Sequence, residues 1–368
     1  MNALNSSLGN ETFPARRVDT LIIGGFNIFN TVFGIIGNST VLLAVAFSKP
    51  LQTAFNVFIV NLAVADLLAC LVLPLFLLSL WREYQPYLDN VCFVALAIIH
   101  TSIGCSIYTL ASIAVNRFVL FIDPIKKNYY LAITKPSVFV LWISFIWIVP
   151  AFVSVFPPVA LDIGRLSFDE RPHICQSQSS YPTTELYETL LVLAFYPLPL
   201  AVLLIAYTGV FVQVLRHNRR LTKYTDNIPM SASDSSKYVS TCSYFSSAGS
   251  DSHEQSRKPG RKISKLQIKI TRNMFIIFVA FVVCFTPHSI CNFTQCKIAP
   301  YTRTLVTLNS MVNPILYGIS HPLFRAFYGK VLQCIRNWLI EVTNLMRNYY
   351  NMCVKKCCIP HNLHLFET

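Results

Sequence analysis

Two charged side chains sit where an apolar chain should carry none. Asp66 closes the run Asn61-Leu62-Ala63-Val64-Ala65-Asp66 inside a stretch with no other acid, and Arg117 ends the run from Cys105 to Phe118. An ionisable group surrounded by apolar residues is costly, so it holds a counter-ion, binds a cation or takes part in a switch. For Asp66 the alternative is a protonated or hydrogen-bonded acid that only ties helices together. Neither residue belongs to a catalytic constellation. The chain has no zincin motif and no Ser-His nucleophile arrangement, so enzymatic activity is not expected.

The elements that carry these residues follow from composition. The chain has 368 residues, 54% hydrophobic and 13% charged, with 27 Phe, which is too apolar for an ordinary soluble domain. Apolar stretches long enough to cross a bilayer run over 20–47, 54–81, 90–121, 136–158, 185–215, 265–292 and 299–320. The predicted fold is therefore an all-α membrane protein with seven transmembrane helices. Before it lies a polar tail, 1–19. A Ser-rich segment at about 216–264 has a composition that cannot bury a core, so a disordered third inner loop is expected. Residues 321–334 read as a short amphipathic surface helix and 335–368 as a tail.

With the N-terminus outside, only seven of the 30 basic residues face outward, which satisfies the positive-inside bias. The net charge of +13 then reads as an inner surface facing anionic lipid and not as a nucleic-acid footprint. This orientation puts the sequons at Asn5 and Asn10 outside, where glycosylation is expected. A multi-pass plasma-membrane protein is expected.

At least one short motif marks each of several spans. Asn116-Arg117-Phe118, with Pro124 seven residues after the arginine, resembles the Asp-Arg-Tyr signature of the rhodopsin-like G-protein-coupled receptors. Asp66 in the second span, Trp147 with Pro157 in the fourth, and Pro199 with Tyr207 in the fifth match that family's spacing. Phe281-Val282-Val283-Cys284-Phe285-Thr286-Pro287 resembles its Phe-x-x-Cys-Trp-x-Pro, with Phe285 in place of Trp, and Asn313-Pro314-Ile315-Leu316-Tyr317 is its Asn-Pro-x-x-Tyr. The resemblance covers about residues 20 to 335. Within the family, the second outer loop and the Asn-Arg pair show a weak similarity to the melatonin-like branch, and the subfamily stays unassigned.

The resemblance implies a receptor that binds an extracellular ligand and activates a heterotrimeric G protein, with receptor kinases and arrestin as further partners. It implies a bridge between Cys92 and Cys175, and Cys291 with Cys296 is placed to close a second one. The ligand pocket would be lined by Ile99, His100, Phe285, His288, Ser289 and Arg303. Alternatively, the histidines are core residues, and Arg303 pairs with Glu185 or Glu188. Ile99 stands seven residues after Cys92, where amine receptors carry a carboxylate, so an amine is disfavoured. No Lys lies in the seventh span for a retinal Schiff base. A small aromatic, lipid-like or peptide ligand remains.

The family's sodium site maps onto Asp66, Ser106, Asn309 and Asn313; no other cofactor is expected. Its switch maps onto Ile107, Pro199 and Phe281, with Phe285 and the hinge at Pro287, and then onto Tyr207, Tyr317, Asn313, Pro314 and Arg117. Asn116 and Gln267 replace the carboxylates that usually hold the arginine, so ligand-independent activity is expected. Cys334, Cys353, Cys357 and Cys358 are candidates for palmitoylation beside membrane lipid. A secondary transporter or channel is the alternative class. It would show internal repeats and paired broken helices with charged residues near the midplane, whereas the chain has one mid-membrane acid and no evident repeat, and solute flux without G-protein activation would identify it.

Overall fold

A computed structural model describes residues 13–53, 56–80, 85–122, 135–169, 174–178, 180–226, 265–294, 296 and 299–357. Helices dominate: α1 (Phe13–Phe47), α2 (Asn56–Leu80), α3 (Pro86–Ile122) and α4 (Pro136–Ala160) precede a hairpin of β1 (Leu166–Asp169) and β2 (Ile174–Ser177). Then come α5 (Thr184–Phe195), α6 (Pro197–Asp226), α7 (Lys265–Thr294), α8 (Ala299–Ser320) and α9 (Pro322–Cys357). A 3-10 turn, Lys49–Leu51, links α1 to α2.

Among the described residues, six stretches have the length and apolarity to cross a membrane, with α5 and α6 counting as one. In a bilayer only helices or closed barrels can satisfy the backbone, which is why each apolar run is helical. The seventh helix, α8, is more polar because Thr302, Asn309, Ser310 and Asn313 face the interior and are buried. Lipid-facing positions such as Leu141 and Ile205 stay open.

Apolar surface cannot drive helices together in lipid, so polar bonds and close backbone approach do much of it. The Asn38 amide donates to the carbonyl oxygens of Gly34 (2.9 Å) and Ser310 (3.0 Å), joining α1 to α8. Asn61 donates to Thr109 (2.7 Å) and accepts from Trp147 Nε1 (2.8 Å), joining α2, α3 and α4. At Gly37 an added Cβ would sit 2.9 Å from Pro314, so the α1–α8 contact needs glycine there.

Four boundaries differ from the expected ones. The fifth span is two helices, broken at Tyr196, because Pro197 and Pro199 bring no N–H to bond the preceding turn. α1 begins at Phe13, inside the expected tail 1–19, and α6 continues to Asp226, past the expected loop start at 216. The last helix runs to Cys357 and is not the short element 321–334. Hydropathy marks where hydrocarbon ends, while helical hydrogen bonding continues into the polar zone. Residues 227–264, Asn5, Asn10, Pro124 and Cys358 lie outside the described residues, as do the side chains of Gln267, Cys353 and Cys357.

Candidate functional site

At the end of the bundle expected to face outward, called the outer end below, a cavity of about 200 Å³ opens between α3, the β-hairpin, α5, α7 and α8. The hairpin roofs it. Cys92 near the start of α3 is disulfide-bonded to Cys175 in β2, with Cα atoms 5.1 Å apart. Phe168 N–H in β1 donates to Asp89 Oδ1 (3.2 Å), which fixes that strand to α3 as well. The turn before β1 needs Gly164, whose φ is +76° and whose added Cβ would meet Tyr187 at 2.6 Å. A second disulfide, Cys291 to Cys296, closes the turn after α7.

All six residues expected at the pocket, Ile99, His100, Phe285, His288, Ser289 and Arg303, line this one cavity. Apolar side chains such as Leu73, Ile103 and Phe195 supply much of its wall, which is the usual make-up of a ligand pocket. Five of its polar side chains are paired, two of them with residues behind the wall. Arg303 Nη1 donates to Gln176 Oε1 (3.0 Å), and Nη2 stands 4.0 Å from Glu188. Of the two acids considered for Arg303, Glu188 is the one in range. His288 Nδ1 meets Thr302 Oγ1 (3.3 Å), and His100 Nδ1 meets Tyr187 Oη (3.4 Å).

Deeper in the bundle, Asp66 is fully buried. It accepts from Ser106 Oγ (2.7 Å) and Asn313 Nδ2 (2.7 Å), so α2, α3 and α8 meet at one carboxylate. Asn309 is buried too, and its Oδ1 and that of Asn313 have no partner among the described residues. Below the cavity Phe285 packs on Phe281 with ring centroids 4.5 Å apart, and Phe281 in turn lies 6.2 Å from Tyr196. Ile107 and Phe281 are wholly buried in the central core, and Pro199 is buried on α6.

Towards the inner end Tyr207 stacks on Phe278 (5.6 Å) and meets Phe275 edge-on (5.5 Å). Tyr317 stacks on Phe324 of α9 (5.5 Å). Arg117 is 6% exposed, a guanidinium held inside the bundle. Its neighbour Phe118 lies over Gly209 of α6, where any Cβ would collide with the ring. Asn116 is half-buried beside them.

Several contributors were not singled out from sequence. Tyr187 is fully buried and donates to the Ser154 carbonyl (2.8 Å), so it braces α5 against α4 next to His100. Tyr196 Oη and Thr286 Oγ1 lie 2.5 Å apart, tying the break in the fifth span to the turn before Pro287. Gln176 had a usable signal, since it follows Cys175 and must stay near α3. The two tyrosines had none, because aromatic residues fill every span.

A membrane bundle with an outer cavity, a buried central carboxylate and an inner arginine is a receptor's architecture. Residues 37–317 match the family described as 7 transmembrane receptor (rhodopsin family), and the chain belongs to that family. It is a G-protein-coupled receptor, a multi-pass plasma-membrane protein whose partners are an extracellular ligand and a G protein. Among similar proteins, "Protein trapped in endoderm-1" of Drosophila melanogaster is 25% identical, over 88% of this chain and 80% of its own. The 5-hydroxytryptamine receptor 1F of Homo sapiens is 27% identical over 91% of this chain and 100% of its own. Melatonin receptor type 1A-A of Danio rerio is 26% identical over 85% and 81%. Squid rhodopsin shares the seven-helix fold, with a TM-score of 0.63 at 18% identity over 86% of each chain.

Proposed function

We propose that this receptor answers a non-amine ligand, small and aromatic, lipid-like or the end of a peptide, held in the outer cavity. The observation that carries this reading is Ile99. It lines the cavity on α3 and is buried, and among the described residues Glu188 is the only carboxylate in the lining. Glu188 already faces Arg303. An ammonium would therefore lose its hydration without gaining an uncommitted counter-ion. A relative named for 5-hydroxytryptamine does not outweigh this, because the reading rests on the residue present here.

The same reading gives the other sites their roles. Asp66 with Ser106 and the amide oxygens of Asn309 and Asn313 forms a set of hard oxygen donors that suits a sodium ion. An ion held there only in the inactive arrangement would oppose agonist binding. Ile107, Pro199 and Phe281, then Tyr207, Tyr317 and Arg117, relay ligand binding to the inner face, where the G protein docks. With Asn116 beside Arg117, some basal activity follows. The N-terminus lies outside with glycans at Asn5 and Asn10, and residues 321–334 lie on the inner leaflet. Receptor kinases and arrestin engage the inner face, and palmitate occupies some of Cys334, Cys353, Cys357 and Cys358.

Nucleotide exchange on a panel of purified G proteins, with a chemically broad ligand library, tests the central claim. Activation by neutral or acidic compounds, weakened by Ile99→Trp, is expected. If primary amines alone activate, the non-amine reading fails.

A further inference from the structure

The lining of the outer cavity is sorted by depth. Arg303, Gln176 and Glu188 stand together beneath the hairpin, near the mouth. On α5, Phe195 lies about two turns inward of Glu188; on α3 and α7, Ile103 and Phe285 lie about one turn inward of Ile99 and Ser289. The mouth is therefore polar and the floor apolar. Phe285, at the floor, packs directly on Phe281 of the central core (4.5 Å).

Arg303 is held in one orientation. Gln176 Nε2 donates to Asp169 Oδ2 (2.8 Å), which turns Gln176 Oε1 towards Arg303 Nη1 (3.0 Å). Gln176 follows Cys175, so the disulfide that fixes the roof also fixes this amide. The bond occupies one of several guanidinium N–H groups, and the Arg303 side chain is 40% exposed. Glu188 Oε1, at 4.0 Å, is in range of the charge but beyond hydrogen-bond distance. It balances the guanidinium without covering it, and part-exposed pairs of this kind contribute little.

We infer that the ligand of this cavity is a small apolar carboxylic acid, whose carboxylate binds Arg303 beneath the hairpin and whose body lies on Phe285. The inference deepens the non-amine reading and rests on it. A guanidinium offers a carboxylate two parallel N–H groups, and those charge-assisted bonds outweigh the longer contact with Glu188. The ligand therefore takes the place of Glu188 beside Arg303. One cation with an acid at its side suits a single negative charge and not a phosphate. At roughly 30 Å³ for each water-sized group, a cavity of about 200 Å³ holds about seven such groups, which limits the acid to a short chain or one ring. With its carboxylate fixed between α8 and the roof, the body covers the apolar floor and presses on Phe285. A neutral compound of the same shape would leave the guanidinium desolvated and without a strong partner.

The test measures binding of hexanoate, octanoate and phenylpropanoate to the full receptor in nanodiscs, each against its methyl ester and primary amide, by the rise in melting temperature with concentration. The acids are expected to bind about 10- to 100-fold more tightly than the esters and amides, the range set by a charge-assisted hydrogen bond. Arg303→Gln should erase this preference, so that acid and ester bind alike, and an unchanged ester affinity would show that the variant is folded. Glu188→Gln should raise the affinity of the acids, because a like charge beside the carboxylate is gone. A fall in acid affinity with Glu188→Gln would make Glu188 the anchor and overturn the proposal. Esters that bind the wild type as tightly as the acids overturn it too, while leaving the non-amine reading intact. Activation by primary amines alone overturns both. Failure of all three acids to bind overturns the small-acid assignment, whether or not a peptide with a free carboxyl terminus binds.

Discussion

The two ends of the bundle are built differently. At the outer end two disulfides and a hairpin fix the roof, and five polar side chains of the cavity are paired: Arg303 with Gln176 and Glu188, His288 with Thr302, His100 with Tyr187. At the inner end the contacts are rings on rings, Tyr207 on Phe278 and Tyr317 on Phe324. Tyr317 Oη and His321 Nδ1 are buried there with no partner among the described residues. Each buried polar group without a partner gives up about 1–3 kcal/mol of stability, and Ser154 Oγ and Ser167 Oγ show that the outer end gives some up as well, so the two ends differ in their cross-links. A rearrangement that hydrates or pairs these groups would regain it. A two-state receptor needs that contrast, with a firm binding end and an inner end whose two packings lie close in energy.

The largest effect should come from loosening the firm end. Cys92→Ala releases β2 from α3 and removes a cross-link between residues 83 apart, of a kind worth about 2–5 kcal/mol. Surface expression and ligand binding should both collapse, and a conformation-sensitive antibody would read it. Near-normal folded receptor would mean that the Asp89–Phe168 bond and the hairpin packing hold the roof by themselves. Next comes the carboxylate joining the two ends. Asp66→Ala leaves Ser106 and Asn313 unpaired at about 1–3 kcal/mol each, so thermal stability should fall. Asp66→Asn should abolish any loss of agonist affinity in sodium. Wild-type affinity that is identical in sodium and in a bulky organic cation would remove the ion from the comparison.

The contrast between the ends was only partly legible in the sequence. The spans were legible because an apolar run in lipid has no alternative to a helix. The break at Tyr196 was not, since a proline in an apolar run is as compatible with one bent helix as with two. The hairpin was not, because its two four-residue strands are short, pair only with each other and are fixed to α3 through Cys175 and Asp89, which are distant in sequence. Asp66, Arg117 and the cavity residues stood out as polar groups in apolar surroundings or at motif spacings. Their partners, such as Tyr187 beneath His100 and Thr302 beside His288, depend on how helices rotate against each other, and local pattern does not encode that.

A smaller effect is expected at Arg117. A charge-assisted bond exceeds a neutral one by about 1.4 kcal/mol, or tenfold in an equilibrium. If Asn116 leaves the resting state short by that amount, Asn116→Asp should lower ligand-free nucleotide exchange by about tenfold at matched surface expression. Equal basal rates would show that the inner end is set elsewhere, by the aromatic stacks.

A last effect, confined to acid pH, should come from His321, which joins α8 to α9 on the inner side. Its N–H bonds the Tyr317 carbonyl (2.9 Å), its carbonyl accepts from Arg325 (2.9 Å), and its ring meets Phe324 edge-on at 5.1 Å. Burial, and then the nearby positive charge of Arg117, lower its pKa from 6.5 to about 4. The folded state therefore holds the imidazole neutral where an unfolded chain would begin to take up a proton. Its contribution to stability is complete above pH 6.5 and drains away as the pH falls towards about 4. Lowering the pH from about 7.5 to about 5 should lower the melting temperature of the receptor in detergent, and His321→Leu should flatten that slope while leaving the disulfide-held outer end unaffected. A slope unchanged by His321→Leu would assign the acid sensitivity to other groups, and the unpartnered Nδ1 would then be hydrated and no part of the strain at the inner end.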